Sequence, residues 1–124
     1  DRSFEAHPQF SSLCHALSEV GRKCGLKDIQ AIQFGGSVMN AMHALENRPG
    51  CHLKLPKPEA GGGSLWDYAA TACIFEEAGA WATDVFGQPL ELNRKESTFM
   101  NHRGVLYASN SELAAAISQS PFFT

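Results

Sequence analysis

The stretch GGGSLWDYAA at residues 61–70 places three consecutive glycines directly before a run of apolar and small residues. Glycine adopts backbone conformations that other residues avoid, so the run predicts a tight loop. The residues after it predict a helix from about Trp66 to Ala78, which Gly79 closes. Within that helix Tyr68 to Phe75 are nearly all apolar or small, which indicates burial on more than one side. Asp67 falls in its first turn, so we expect one acidic side chain where the loop meets the helix.

Asp67 has two roles open to it. It can cap backbone N–H groups, because Asp is common at helix starts and the helix dipole stabilises a carboxylate there. It can also bind a metal, because a glycine-rich approach leaves room near the backbone and a carboxylate oxygen suits a hard cation such as Mg²⁺. Residue types and spacing alone leave both interpretations open.

Helical and strand patterns alternate along the chain. We predict helices at residues 8–25, 37–46 and 66–78, and a last helix that follows a capping box of Ser109 and Glu112. We predict strands at residues 28–34, 51–55, 81–83 and 102–108. A length of 124 residues suits one domain. The alternation predicts an α/β fold, a layered mixed β-sheet covered by helices.

Composition excludes several functions. The net charge is −3 and no basic stripe occurs, which argues against nucleic acid as a partner. No segment approaches the roughly 18 apolar residues of a membrane span, so we expect no membrane partner. The four cysteines form no C-x-x-C pair, and they are interpreted as reduced thiols of a cytoplasmic protein.

Other polar residues have ordinary interpretations. His43 and His52 lack the spacing of metal ligands, and we expect them to be structural or exposed to solvent. Lys54 and Lys57 are placed to face a phosphate, but lysines beside prolines are more typical of a solvated surface. Neither pair is therefore a predicted site.

Three separated motifs resemble the inositol monophosphatase family. WDYAA at residues 66–70, with EAGA at 77–80, is similar to the second signature of that family, in which a Trp-Asp-x-Ala stretch opens a helix. GGSVMN at 35–40 resembles the turn that lines the substrate pocket there. DVFGQPL at 84–90 resembles the hairpin that follows the signature. The matches extend over most of residues 1–108, so the chain resembles the carboxy-terminal half of such a phosphatase, with the carboxy-terminal domain of a sugar-phosphatase-type fold.

This resemblance implies a site. Asp67 would be one ligand in a cluster of Mg²⁺ ions that activate a water molecule, so no side chain of this half is implied as catalytic. Gly35, Gly36 and Ser37 would shape the substrate pocket, and Asn40, one turn into the helix, would reach the substrate. The activity implied is hydrolysis of the phosphate monoester of a small phosphorylated metabolite.

Some segments differ from the pattern of the family, and one segment narrows the choice of substrate. The loop KPEAGGG at residues 57–63 differs from that of inositol-specific members, which hold sugar hydroxyls with an acidic residue. Glu59 is the candidate for that role, one residue out of register. Thr71 and Phe75 replace a very small and an aliphatic residue, which affects packing. RKESTFMN at 94–101 resembles a segment of 3′(2′),5′-bisphosphate nucleotidases, which favours a bisphosphorylated nucleoside over an inositol phosphate.

The chain lacks the other signature of the family, an acidic Asp-Pro-x-Asp-Gly-Thr stretch that supplies most metal ligands. We therefore expect residues 1–124 to be a single domain, inactive alone, whose partner is the missing amino-terminal half of a Mg²⁺-dependent phosphatase. The alternative is a non-catalytic binding or partner module. Arg2 and Ser3 resemble the end of this half's first strand, so we expect an incomplete sheet with an open edge. An open edge invites association, so a homo-oligomer is a further expectation.

Overall fold

Three strands in the described part of the chain form one antiparallel sheet. This computed structural model describes residues 2–33 and 35–124. The strands are β1 (Cys51–Lys54), β2 (Trp81–Thr83) and β3 (Val105–Ala108), in the order β1-β3-β2. Both β1 and β2 pair with β3 in antiparallel register. The sheet is thus antiparallel where we predicted a mixed one, because no parallel neighbour of β1 is present in the described part of the chain.

Four α-helices confirm the predicted helices to within a few residues. They are α1 (Phe10–Lys23), α2 (Ser37–Glu46), α3 (Leu65–Glu77) and α4 (Ser111–Ser118). A short 3₁₀ helix, Arg2–Ala6, precedes them, so Arg2 and Ser3 do not lie at the end of a strand. None of the helices in the described ranges is long and apolar enough to cross a membrane.

The sheet separates two apolar layers. Val105 and Tyr107 of β3 face α2 and α3, while Leu106 and Ala108 face α1 and α4. Successive strand residues point to opposite faces, so four buried residues in a row require cover on both sides. All four have at most 1% of their surface exposed. The domain is therefore a three-layer α/β/α arrangement, which agrees with the predicted class of fold.

Two predictions, a strand at residues 28–34 and the burial of the third helix, were wrong. The predicted strand at residues 28–34 is neither helix nor strand over 28–33, and Phe34 lies outside the described residues. An alternating pattern becomes a strand only where a neighbour accepts its hydrogen bonds. Within the run 68–75, helix α3 is buried on one side only, because Ala70, Cys73 and Ile74 are exposed. The apolar sequence of α3 is thus typical of a helix that other elements cover on more than one side, and the described residues cover only one side.

The start of α4 also differs from the prediction. The Asn110 side chain accepts a 2.8 Å hydrogen bond from the Leu113 amide, so Asn110 is the N-cap. Ser109 instead accepts a 3.0 Å hydrogen bond from the Gly50 amide, which ties β3 to the loop before β1. Strand β3 begins at Val105 instead of residue 102, because Gly104 has a φ of +66° that does not continue a strand.

Candidate functional site

A folded glycine loop lies against the first turn of α3. All three glycines have positive φ values: 121° at Gly61, 76° at Gly62 and 101° at Gly63. The Tyr68 hydroxyl donates a 2.6 Å hydrogen bond to the Gly62 carbonyl. A Cβ at Gly63 would collide with the Tyr68 ring, so this position requires glycine for its space as well as for its φ.

Two other segments converge on the same point. The Lys54 ammonium, at the carboxyl end of β1, donates to the Gly62 carbonyl over 3.3 Å. Ser37, the first residue of α2, places its hydroxyl 3.4 Å from that of Tyr68. We call Ser37, Lys54, Gly62 and Tyr68 the glycine-loop corner. It joins the start of α2, the end of β1 and the start of α3.

Positive charge gathers at the glycine-loop corner. Lys54 is half-buried, and burial lowers its pKa from the ordinary value of 10.5; the Asp67 carboxylate opposes this shift and Lys57 adds to it. Lys57 is exposed and lies over the glycines, since a Cβ at Gly61 would stand 3.7 Å from the Lys57 ammonium. Helix α2 begins at the N-cap Gly36 without a side-chain cap, so its first N–H groups add partial positive charge. An anion would be stabilised here.

Asp67 caps helix α3. Its Oδ2 atom accepts a 2.8 Å hydrogen bond from the Ser64 amide, and Ser64 is the N-cap residue. The carboxylate has a second oxygen, Oδ1, with which it can bind a cation without losing that bond. No group of three His, Cys, Asp or Glu side chains in residues 2–33 and 35–124 is arranged to hold a metal. The structure thus shows Asp67 as a helix cap, with an Oδ1 oxygen of the kind that Mg²⁺ prefers, and the described residues do not form a metal cluster.

The other predicted residues fall into two groups. Gly35 and Gly36 are exposed at the start of α2, with open space where side chains would be. Asn40 donates from Nδ2 to the Gly35 carbonyl over 3.0 Å, so its amide holds the turn that Ser37 follows. Glu59 is exposed on the loop, and within the described ranges it makes no hydrogen bond or ion pair. The structure thus brings Ser37 and Asn40 to one turn and leaves Glu59 apart.

Two members of the glycine-loop corner were missed by sequence reasoning. Lys54 was interpreted as solvated, but its side chain is half-buried and bonded to the loop. Tyr68 was treated only as part of an apolar run, although its hydroxyl links the loop to α2. The available signals were the position of Lys54 at the end of an alternating strand and that of Tyr68 beside Asp67. Neither signal specifies a contact on its own.

A large cavity adjoins the glycine-loop corner. It has a volume of about 640 Å³ and lies between α1, α2, β1 and the segment 28–33. Lys54, Gly62 and Tyr68 are among the residues that line it. His52 also lines it, with an Nε2 atom that is buried and has no hydrogen-bond partner in the described structure. Burial, and after it the charge of Lys54, lowers the pKa of His52 from 6.5 to about 4, so the ring is neutral at pH 7.

Comparison with known proteins gives one distant relative. The chain is 28% identical over 78 residues to a 3′(2′),5′-bisphosphate nucleotidase of Schizosaccharomyces pombe (strain 972 / ATCC 24843), a match that covers 58% of this chain. The chain spans only 22% of the length of that protein. The chain matches no protein-family model and no solved structure. This similarity suggests a phosphatase-type function.

Proposed function

We propose that this domain forms the phosphate-binding side of a Mg²⁺-dependent phosphatase that hydrolyses a phosphate monoester of a small metabolite. The observation that carries the proposal is that Lys54 and Tyr68 both donate to the Gly62 carbonyl, while the Ser37 hydroxyl lies 3.4 Å from that of Tyr68. The distant nucleotidase relative supports the same class of reaction.

The glycine-loop corner has the hydrogen-bond donors, the positive charge and the space that bind a phosphate group. Lys54 supplies an ammonium held in place by the loop, and Lys57 supplies a second one nearby. The uncapped start of α2 supplies backbone N–H groups, and the absent side chains of Gly35 and Gly36 leave space in front of them. Phosphate oxygens accept hydrogen bonds from donors of this kind. The phosphate would therefore lie between Lys54 and the first turn of α2.

Asp67 would supply one oxygen ligand to Mg²⁺ near that phosphate. Mg²⁺ uses one or two carboxylates together with water and substrate phosphate, and it polarises the phosphoryl oxygens when bound. The remaining carboxylates would come from the amino-terminal half of a longer polypeptide, the partner that we expected from the sequence. The exposed Trp66 lies beside Asp67 on α3, so an apolar surface for such a partner adjoins the carboxylate.

A bisphosphorylated nucleoside is the favoured substrate over an inositol phosphate. Besides the name of the relative, the segment 94–101 supports this choice by its position. The Leu65 amide donates to the Thr98 carbonyl over 2.8 Å, and the Met100 amide donates to the Gly63 carbonyl over 3.1 Å. The segment that resembles nucleotidases thus braces the glycine loop, where it can affect which substrates fit.

Binding measurements on the domain test the proposal. We expect inorganic phosphate and 3′-phosphoadenosine 5′-phosphate to shift the amide resonances of residues 35–40 and 61–63 in an NMR titration. Lys54→Gln should weaken that binding about tenfold, which corresponds to about 1.4 kcal/mol. Lys23→Gln, which changes an exposed lysine at the end of α1 and outside the corner, is the matched control. Equal binding by both variants would contradict the proposal.

Hydrolysis needs a test on a polypeptide that joins this domain to the proposed amino-terminal half. We expect it to cleave 3′-phosphoadenosine 5′-phosphate faster than inositol 1-phosphate when Mg²⁺ is present. A preference for inositol 1-phosphate of tenfold or more, about 1.4 kcal/mol in the transition state, would reverse the choice of substrate. Phosphate binding without any hydrolysis would favour the alternative of a non-catalytic binding module.

A further inference from the structure

Asn101 binds the backbone of Lys57 at two points. The Lys57 amide donates to the Asn101 carbonyl over 2.9 Å, and the Asn101 side chain donates from Nδ2 to the Lys57 carbonyl over 3.0 Å. Lys57 is the residue whose exposed side chain lies over the glycines of the glycine-loop corner. One residue that is distant in sequence therefore holds both backbone polar groups of this lysine.

The pair of Lys57 and Asn101 lies just beyond the ladder between β1 and β3. That ladder ends at Lys54. Pro56 has no N–H to donate, and Gly104 turns the chain with a φ of +66°, so regular pairing cannot continue through them. In an antiparallel pair two residues exchange two backbone hydrogen bonds, and here the Asn101 side-chain amide takes the place of one backbone donor. The second bond therefore depends on the residue type at position 101.

The other end of the glycine loop is held by backbone groups alone of the segment 98–100. Two backbone hydrogen bonds join this segment to residues 63–65, and Ser64 and Phe99 form an isolated antiparallel bridge. Such bonds do not depend on side chains. A substitution of Asn101 therefore weakens the hold on the start of the loop and leaves its end in place.

The segment that carries Asn101 is itself fixed. Met100, directly before it, is buried in the core. The Phe99 amide donates to the Ser97 hydroxyl over 3.1 Å, and Arg94 donates from Nη1 to the Phe99 carbonyl over 3.2 Å. A residue can position another only if its own place is fixed. Asn101 meets this condition.

The side chain of Lys57 lies near that of Lys54. A Cβ at Gly62 would stand 3.4 Å from the Lys57 Cε atom, and the carbonyl of the same glycine accepts from the Lys54 ammonium. Burial is the main cause of the lowered pKa of Lys54; the Asp67 carboxylate opposes this shift, and the charge of Lys57 adds to it. Like charges repel, so an exposed lysine on a free loop would move its ammonium away. The backbone of Lys57 must be held if both ammonium groups are to stay at one corner.

We propose that Asn101 is a positioning residue, which holds the backbone of Lys57 so that its ammonium stays beside that of Lys54 for a phosphate group. The purpose of this arrangement rests on the proposed function. A phosphate monoester carries about −1.5 to −2 charges at pH 7, so it can interact with both ammonium groups. Asn101 does not contact the phosphate and acts through Lys57.

Phosphate affinities of single and double variants test this role. Lys57→Gln and Asn101→Ala should each weaken the binding of inorganic phosphate to the domain about threefold, the effect of one exposed charge. The double variant should also lose about threefold, because the two changes remove the same interaction, whereas independent effects would multiply to about ninefold. Asn93→Ala, which changes an exposed asparagine of the same connection, is the matched control and should bind phosphate as the original chain does.

A second measurement needs no phosphate. An NMR titration of the Lys54 side chain reports its pKa, and Lys57→Gln should raise that pKa because it removes a neighbouring positive charge. Asn101→Ala should raise it as well, because the Lys57 ammonium is then free to move away. Asn101→Ser should have the same effect, since its short hydroxyl cannot reach the Lys57 carbonyl, and it keeps a polar group at this surface position. Asn93→Ala should leave the pKa of Lys54 unchanged.

Three outcomes would overturn the inference. Lys57→Gln could leave the pKa of Lys54 unchanged, which would mean that the two ammonium groups do not interact. The Asn101 variants could leave it unchanged while Lys57→Gln raises it, which would mean that Lys57 keeps its place without the Asn101 amide. The affinity losses could multiply in the double variant, which would mean that Asn101 acts on another group. Absence of phosphate binding by the original chain would instead contradict the proposed function, and the pKa of Lys54 would still decide the position of Lys57.

Discussion

The Tyr68 hydroxyl donates a 2.6 Å hydrogen bond to the Gly62 carbonyl, which fastens the glycine loop to the helix that carries Asp67. The same carbonyl accepts a hydrogen bond from Lys54. One backbone oxygen is therefore hydrogen-bonded both to helix α3 and to the end of strand β1. The position of the groups that we propose to bind phosphate therefore depends on a phenol and a glycine that have no charge of their own.

Tyr68→Phe tests this dependence. The variant keeps the ring and removes the hydroxyl, so we expect a loss of about 0.5–1.5 kcal/mol in the free energy of unfolding. The amides of residues 61–63 should exchange faster, and phosphate affinity should fall because Lys54 loses a fixed partner. Urea denaturation and hydrogen exchange measure the two effects.

Tyr107→Phe is the matched control. Its hydroxyl donates to the Tyr68 carbonyl over 2.7 Å and accepts from Thr71 over 3.1 Å, and the residue is fully buried. Its removal leaves buried groups unpaired, so we expect a larger loss, about 1–3 kcal/mol, with little change in exchange at residues 61–63. If both variants loosen the loop equally, Tyr68 has no special role in holding it.

Phosphate binding should weaken at alkaline pH because of Lys54. Burial lowers the pKa of this lysine below 10.5, so the ammonium loses its proton earlier than an exposed lysine would. Affinity should therefore fall as the pH rises through the lowered pKa. Over the window from that pKa to 10.5 the free energy of unfolding should rise, because the unfolded chain binds a proton that the folded chain has lost.

The control for this pH dependence is an arginine in place of Lys54. Lys54→Arg stays charged throughout the window, so its phosphate affinity should not depend on pH there. Lys57→Arg should keep the pH dependence of the original chain, since Lys57 is exposed. An unchanged pH profile in Lys54→Arg would assign the effect to another group.

Local patterns predicted the helices, because their apolar stripes and end signals lie within the segments themselves. Helix α1 shows this, with Leu13 and Val20 buried at helical spacing and basic residues in its last turn. The segment 28–33 has an equally clear strand pattern, and it still forms no strand. A strand needs hydrogen bonds from a neighbour, and no neighbour for it occurs among the described residues.

The candidate site could be predicted only in part for a similar reason. The motif at residues 35–40 pointed to Ser37, and the glycine run pointed to a loop before Asp67. The meeting of Lys54 with Tyr68 depends on how β1 and α3 pack, which no local pattern contains. The two roles of Asp67 were both stated from the sequence, and the structure shows the cap directly.

Acid should destabilise the domain through His52. The pKa of this ring is about 4 in the folded chain, against 6.5 when unfolded, chiefly because of burial. Between these values the unfolded chain binds a proton that the folded chain does not, so stability is lost as the pH falls from 6.5 to 4. The loss should be on the order of 3 kcal/mol, since one pKa unit is worth about 1.4 kcal/mol.

Thermal or urea denaturation at several pH values measures this effect. His52→Gln should flatten the dependence between pH 4 and 6.5. His15→Gln replaces an exposed histidine on α1, and it should leave the pH dependence of the free energy of unfolding as in the original chain. If the His52 variant keeps the full slope, protonation of another group causes the acid sensitivity.

Two substitutions separate the role of Asp67 as a helix cap from its proposed role as a metal ligand. Asp67→Asn keeps an oxygen that accepts from the Ser64 amide, so the melting temperature should change little. Asp67→Ala removes the cap and should cost about 0.5–2 kcal/mol of stability. Mg²⁺ binding by the domain alone should be weak, because one carboxylate leaves most of the coordination shell to water. Both variants should weaken it further, and Glu59→Gln, on the exposed loop, is the control.

The decisive measurement uses this domain joined to the proposed amino-terminal half. There Asp67→Asn should bind Mg²⁺ poorly and lose most of its turnover while its melting temperature stays near that of the original protein, because only the charge has been removed. This combination cannot arise from a cap alone, since a cap affects stability and not metal affinity. If the Asn variant keeps full activity and the Ala variant only melts earlier, Asp67 is a cap and the metal assignment is wrong.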